Sequence, residues 1–246
     1  MPTLLLSPRH GEDSRLLWRA AVSLGWTVHR VYNWEVPVLT TDDVAIYGEP
    51  LLCRFLSQKL NLVLDEPALD WLPNLPHTLR KRDVRLTSLR DARSITHRSF
   101  IKPAEEKGLD AKIYESGAEL PGPDFYRDDL PVLVQEIVHW RSEFRCFVLG
   151  SSVLTAAPYW LNGAIAQNEN RDWLKDASES AQAVSFCETV LAHSAFERPR
   201  AFVLDVGETC DRGWAVIEAN AAFSSGIYGN DPCNALEVIR EAVRKK

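Results

Sequence analysis

No stretch of the chain approaches the ~18 consecutive apolar residues of a membrane-spanning helix. Its start offers only Leu4-Leu5-Leu6 before Ser7-Pro8-Arg9, too short for the apolar region of a secretory leader. The expectation is a cytoplasmic protein with no membrane partner. Paired cysteines are missing as well. Cys53, Cys146, Cys187, Cys210 and Cys233 form no C-x-x-C and have no histidine at zinc-finger spacing, so they read as reduced, mostly buried thiols. There is no surplus of positive charge: 28 Lys and Arg against 34 Asp and Glu give a net charge of -6. That is the wrong sign for a protein that coats DNA phosphates. Repeats and low-complexity tracts are absent, which excludes solenoids and disordered tails. What is present is 246 residues, 46% hydrophobic and 25% charged. Such a chain can bury roughly 70–75% of its unfolded surface in one large domain or two small ones.

Periodicity divides the chain in two. Thr3–Leu6 reads as a short buried strand, and 12–24 as a helix with Leu16, Leu17, Ala20, Ala21 and Leu24 on one stripe and Gly25 as its cap. Strands at 26–31, Val44–Tyr47 and Leu62–Leu64 and a helix at 50–60 complete an alternating α/β unit. The stretch 65–77, with Pro67, Pro73 and Pro76, reads as a connector, and a boundary is placed near residue 78. Beyond it come a helix-like segment at 83–92 and a strand ending at Lys102. Strands follow at 132–138, 143–149, 153–160, 201–206 and 214–219. Helices are expected at 178–194 and 235–245. Hairpin turns at Gly150-Ser151-Ser152 and at 210–213 make this half the more antiparallel one. The class is α/β, more fully α+β.

Chemistry is concentrated at the second hairpin. Along 214–220 the side chains alternate, so Glu218 and Asn220 share a face about 6–7 Å apart. Asp205 should lie across the turn from Glu218. Two ionised carboxylates ~5 Å apart repel by about 3 kcal/mol at an effective dielectric of 20. A divalent cation such as Mg²⁺, held by two carboxylates and an amide oxygen, resolves that conflict. Alone, such residues are usually surface polar groups. Here Asp205 ends the apolar run Phe202-Val203-Leu204 and Glu218 follows Val216-Ile217, where an unpaired carboxylate is costly.

Lys102, in Phe100-Ile101-Lys102-Pro103, closes an apolar strand and suits a point-charge contact to phosphate; the plainer alternative is a solvated lysine. Val132-Leu133-Val134-Gln135-Glu136-Ile137-Val138 runs into Glu136, and Glu143 lies seven residues on. If that strand ends at an adenine pocket, its free backbone groups can read the adenine edge and Glu143 can accept from ribose hydroxyls. Otherwise it is a buried strand leading to an acidic loop. Arg145 shares a strand face with Glu143. It suits a transferring phosphoryl group or, alternatively, pairs with Glu143 or another carboxylate.

The order of these pieces resembles the ATP-grasp superfamily, over about residues 79–230. The carrying motifs are F-x-K-P at 100–103, Q-E-x-x at 135–138, the acid at Glu143, Asp205 and the E-x-N of Glu218-Ala219-Asn220. The Glu143–Val148 run and the 218–229 segment are similar to the compact bacterial and phage clade. The resemblance implies two α+β lobes, 79–134 and 135–246, preceded by a small α/β domain at 1–78. It implies ATP between the lobes, Lys102 and Arg82 on phosphates, Glu136, Ile137 and Val138 at adenine, Glu143 at ribose, and Asp205, Glu218 and Asn220 on Mg²⁺. Lys81 is the alternative to Arg82. It further implies an ATP-dependent ligase that forms a C–N bond through an acylphosphate, with Arg145 and Lys102 as catalytic cations and small-molecule or peptide carboxylates and amines as substrates. Many relatives are dimers, so a homodimer stays open. Two segments depart from the better-known ligases. The loop 104–117 is heavily charged with only Gly108 and Gly117, and 221–229 lacks the proline and arginine of several peptide ligases. Ser224, Ser225, Gly226 and Tyr228 are candidates on the substrate side.

Between Arg80 and Arg98 stand seven basic residues, Arg80, Lys81, Arg82, Arg85, Arg90, Arg93 and Arg98, against Asp83 and Asp91. A positive helix face there would suit nucleic acid, and an ATP-binding regulatory or nucleic-acid-interacting module without ligase chemistry is the alternative function. The other reading is a solvated face balanced by Asp124, Asp128 and Asp129. Arg9 and His10, just past the first strand, are candidates for anchoring a substrate carboxylate.

Overall fold

The run Thr3-Leu4-Leu5-Leu6 forms the central strand β1 (Thr3–Leu6) of a parallel sheet in the order β2-β1-β3. In the computed structural model, which describes residues 1–105, 108–193 and 197–246, this strand is buried throughout. Being covered on both faces, it needs no polar alternation. Helix α1 (Glu12–Ser23) buries Leu17, Ala20 and Ala21 and gives way to Gly25 at φ +76°, a conformation glycine takes without a Cβ penalty. Strands β2 (Thr27–Arg30) and β3 (Val44–Tyr47) flank β1. Helix α2 (Pro50–Lys59) covers the other face with Leu52, Cys53 and Leu56, so Leu5 points to α2 while Leu4 and Leu6 point to α1.

After β4 (Leu62–Leu64) the connector is partly helical, with single turns α3 (Trp71–Asn74) and α4 (His77–Arg80). Their apolar side chains Trp71, Leu72, Leu75 and Leu79 join a core with Phe144, Phe202 and Leu204. A four-stranded antiparallel sheet follows in the order β5-β8-β6-β7. It is built from β5 (Val84–Ser88), β6 (Ser99–Pro103), β7 (Lys112–Tyr114) and β8 (Pro131–Gln135), with the one-turn helix α5 (Leu89–Ala92) between its first two strands. The helix expected over 83–92 is thus mostly strand. Val84 and Leu86 alternate with Arg85 and Thr87 and pair with β8, and Ser88 caps α5 by accepting from the Asp91 N–H. Likewise the strand expected over 132–138 stops at Gln135.

The largest sheet is antiparallel, in the order β11-β10-β9-β12-β13. Its members are β9 (Trp140–Leu149), β10 (Ser152–Leu161), β11 (Ala164–Ile165), β12 (Ala201–Thr209) and β13 (Gly213–Asn220). Helix α6 (Ala177–Ala192), capped by Asp176, buries Ala183, Cys187 and Val190 against one face, beside Phe144, Cys146 and Val148. Of the helix expected over 178–194, Ser194 lies outside the described residues, as do Glu106 and Lys107 of the 104–117 loop. The opposite face packs Phe147, Ala201 and Val203 against the N-terminal sheet and helix α7 (Pro232–Glu241). Residues 235–245 are not one helix: α7 ends at Glu241, and β14 (Val243–Lys245) leaves to pair with β4. The chain's last elements therefore share a core with its first.

Candidate functional site

Face alternation on the large sheet leaves Glu143 and Arg145 of β9, Asp205 of β12 and Glu218 and Asn220 of β13 on the surface that also carries Phe147 and Val203. Asp205 stands opposite both Arg145 and Glu218 in register. It is 0% exposed, and Arg145 is 7% exposed. The Arg145 guanidinium donates through Nε and Nη2 to the two Asp205 oxygens at 2.9 and 2.7 Å, the planar two-bond geometry that strengthens such a pair, and through Nη1 to the Gly226 carbonyl at 3.0 Å. Of the readings open for Arg145, pairing with a carboxylate is realised, and the partner is Asp205. Asn220 Nδ2 donates to Asp205 Oδ2 at 3.2 Å and to Glu218 Oε1 at 2.8 Å, and the Lys102 ammonium donates to the other Glu218 oxygen. Burial raises the Asp205 carboxyl above its ordinary range, and Arg145 offsets this only in part. Burial would raise Glu218 too, but there the Lys102 ammonium wins and the carboxyl falls to about 2.

These residues suit a hard cation. Among the described residues no three His, Cys, Asp or Glu side chains cluster as ligands, so such an ion would rest on two carboxylates and the Asn220 amide. The Asn220 Oδ1 accepts no hydrogen bond among the described residues. It is an acceptor left open beside two acids, the oxygen-rich donor set that Mg²⁺ favours.

The other candidates surround this cluster. Arg82 is 2% exposed, with Nε to Gln135 Oε1 at 3.0 Å, Nη1 to the Val216 carbonyl at 2.6 Å, and Nη2 to the Ile217 carbonyl at 2.8 Å. Its guanidinium lies 5.2 Å from the Trp140 ring. Burial lowers it to about 10 against the fields of Glu218 and Glu143. Lys81 faces elsewhere, its left-handed backbone (φ +53°) offering a carbonyl to Arg212. Glu143 accepts from the Tyr159 hydroxyl at 2.5 Å and is raised by burial. Glu136 is held by Arg212 at 2.7 Å, and its N–H donates to the Asp83 carbonyl. The main-chain groups of Ile137 and Val138 make no hydrogen bond among the described residues. Only these two of the three expected hinge residues keep the N–H free to read a ligand edge.

Two clefts meet at Glu218, Ala219 and Asn220. One, of about 490 Å³, is walled by Lys102 and Leu133 on one side and Trp71 and Leu72 on the other. The second, of about 640 Å³, runs past Arg145, Ser224, Ser225, Gly226 and Tyr228 and is faced by Glu49 and Arg54 of the N-terminal unit. Its floor is aromatic. The Tyr159 and Tyr228 rings stack at 5.2 Å, and the Arg145 guanidinium lies 4.6 Å from Tyr228. Asp13 of α1 accepts from the Ile227 and Tyr228 backbone N–H groups. Asp13, Arg54 and Tyr159 went unseen in the sequence because each reaches the site from an element whose own pattern signals nothing but packing. The basic run forms no helical face. Arg80 and Arg82 turn inward, Arg90 and Arg93 pair with Asp128, and Arg98 pairs with Glu115, leaving Lys81 and Arg85 without an ion partner among the described residues.

Among solved structures, the chain is similar to a RimK domain protein ATP-grasp from Sphaerobacter thermophilus, with 15% identity, 98% of this chain and 99% of that one covered, and a TM-score of 0.55. It is also similar to the D-cycloserine synthetase DcsG, with 14% identity, 98% and 99% coverage, and a TM-score of 0.58. The ATP-grasp ligase PsnB, complexed with minimal precursor, aligns at 14% identity, 97% and 99% coverage, and a TM-score of 0.50. No match was found among curated protein sequences. At these identities the likeness establishes the fold. A family model described as an ATP-grasp domain, the second family of its clade, matches residues 79–238, and with Lys102, Arg145, Asp205, Glu218 and Asn220 gathered as above, the chain belongs to that ATP-grasp family.

Proposed function

We propose that this protein is an ATP- and Mg²⁺-dependent ligase that joins a carboxylate to an amine through an acylphosphate. The observation that carries the reading is the pairing of Lys102 with Glu218 beside Asp205, Asn220 and Arg145. It is a cation and two acids from three strands, gathered where two clefts meet. In this reading residues 79–134 and 135–246 are the two lobes around the nucleotide. Ile137 and Val138 offer main-chain groups to adenine, and Glu143 accepts from ribose. Lys102 and Arg82 face the phosphates, and Asp205, Glu218 and Asn220 hold the metal. Bound there, Mg²⁺ would supply charge neutralisation to the triphosphate.

The chain's own part in the chemistry is orientation and electrostatics. A substrate carboxylate oxygen bonds to the γ-phosphorus and ADP leaves. An amine nitrogen then bonds to the acyl carbon, inorganic phosphate leaves, and the amine gives up a proton. Arg145, fixed by Asp205 and the Gly226 carbonyl, lends positive charge to the wall of the second cleft without moving. PsnB, an ATP-grasp ligase solved with its precursor, and the synthetase DcsG share the fold and support the substrate class. The test is ADP release measured over a panel of acids and amines. The reading expects release that needs one acid and rises with one amine; release indifferent to both would remove it.

A further inference from the structure

The second cleft does not end at the N-terminal unit. Glu49 and Leu51 wall it and also wall a further cavity of about 290 Å³, lined besides by Ser7, Pro8, Val31, Trp34 and Leu52, with Arg9 at its rim. That cavity lies at the carboxyl ends of β1 and β3, where parallel sheets flanked by helices take their ligands. Its volume is at the bottom of the range for small-molecule sites, roughly 300–1,000 Å³, which suits one amino-acid-sized group and not a nucleotide. The lining is mostly apolar, yet two of its apolar members stay in water: Trp34 is 51% exposed and Leu51 70%. Asn33 and Trp34 both hold left-handed backbone, φ +53° and +59°. For a bulky tryptophan this is a strained conformation of the sort found at ligand clamps. The Trp34 ring is held there edge-on to Phe55 at 5.2 Å. At the rim, Arg9 and Glu49 form an ion pair at 2.9 Å, with the first-turn N–H groups of α2 alongside.

We infer that this cavity binds a free α-amino acid with an apolar side chain. The side chain enters between Trp34, Val31, Leu51 and Leu52. The carboxylate goes to Arg9 and the ammonium to Glu49, a zwitterion matching in sign the pair it separates. Glu49 and Leu51 are shared with the cleft of Arg145 and Glu218, so the amino group sits at the junction of the two spaces. In the ligase reading, on which this use of the cavity rests, the bound amino acid is the amine acceptor.

Calorimetric titration without ATP tests the inference, with L-leucine, glycine and leucinamide as probes. Wild type and Lys102→Ala should bind leucine alike, at least about tenfold more tightly than glycine, as expected for filling an apolar pocket. Leu51→Trp alters an exposed residue and leaves the core intact; it should weaken leucine binding by about tenfold or more. Leucinamide should bind more weakly than leucine to wild type, and Arg9→Gln should erase that difference. Leucine binding no tighter than glycine, or Leu51→Trp titrating as wild type, overturns the inference. Leucine binding with no acid-dependent ADP release would keep the cavity's role and remove the ligase reading. Turnover with amines that is blind to Leu51→Trp would do the reverse.

Discussion

Arg145 shows how one residue can be read correctly in type and incompletely in partner. Its position two residues past Glu143 placed it on the right face, but only the β9–β12 register shows that Asp205, sixty residues away, takes both of its nitrogens. Because Asp205 is buried without another full charge partner of comparable geometry, Arg145→Ala strands a carboxylate. The expected cost is about 3–5 kcal/mol, measured by urea unfolding; a loss within ~0.5 kcal/mol would contradict the pairing. Cys53 gives a pH prediction. Burial, and after it the nearby Glu49 charge, pushes its thiol up to about 12, against about 8.5 unperturbed. The folded state therefore favours the proton, and the stability this contributes is complete below the unfolded value and is lost as pH rises toward 12. Thermal melting from pH 8 to 11 should fall less steeply in Cys53→Ala than in wild type. At pH 8 an alkylating reagent should label exposed Cys210 and spare Cys53; equal labelling would count against the burial argument.

At the scale of elements, the N-terminal unit was legible because its signals are local. Leu4 to Leu6, the stripe on α1 and Gly25 each announce their structure within a few residues. The segment 83–92 was not, since Val84-Arg85-Leu86-Thr87 becomes a strand only by pairing with β8, nearly fifty residues on. The same holds for Val243–Lys245, whose partner β4 lies near the other end of the chain. The turn that joins α5 to the small sheet imposes one glycine. A Cβ at Gly117 would stand 2.1 Å from the Ala92 carbonyl oxygen and 2.6 Å from Arg93 backbone atoms, none of which can swing away. Gly117→Ala should therefore cost at least about 1–3 kcal/mol, read as a lowered melting temperature. An unchanged one would mean the turn is looser than described.

For the whole molecule, the metal-ligand type residues and Lys102 were legible because alternation and strand ends fix faces, and the hairpin brought Asp205 opposite Glu218 in register. The clefts were not, because their far walls come from α2, the connector and the 221–228 segment, whose placement depends on the α7 and β14 return. That return ties the molecule shut: Arg240 pairs with Asp43 and Arg244 with Asp65. The N-terminal unit is thus one wall of the working cleft, and activity should require the full chain.

The most direct measurement is calorimetric titration of ATP in Mg²⁺ and in EDTA, for wild type and for Glu218→Gln. Glutamine keeps the size of the side chain and removes the charge that Lys102 and a metal would share. The account predicts Mg²⁺-dependent ATP binding in wild type that weakens by at least about tenfold in the variant, with its circular dichroism spectrum unchanged. Equal ATP binding by both proteins, or binding indifferent to EDTA, would contradict it.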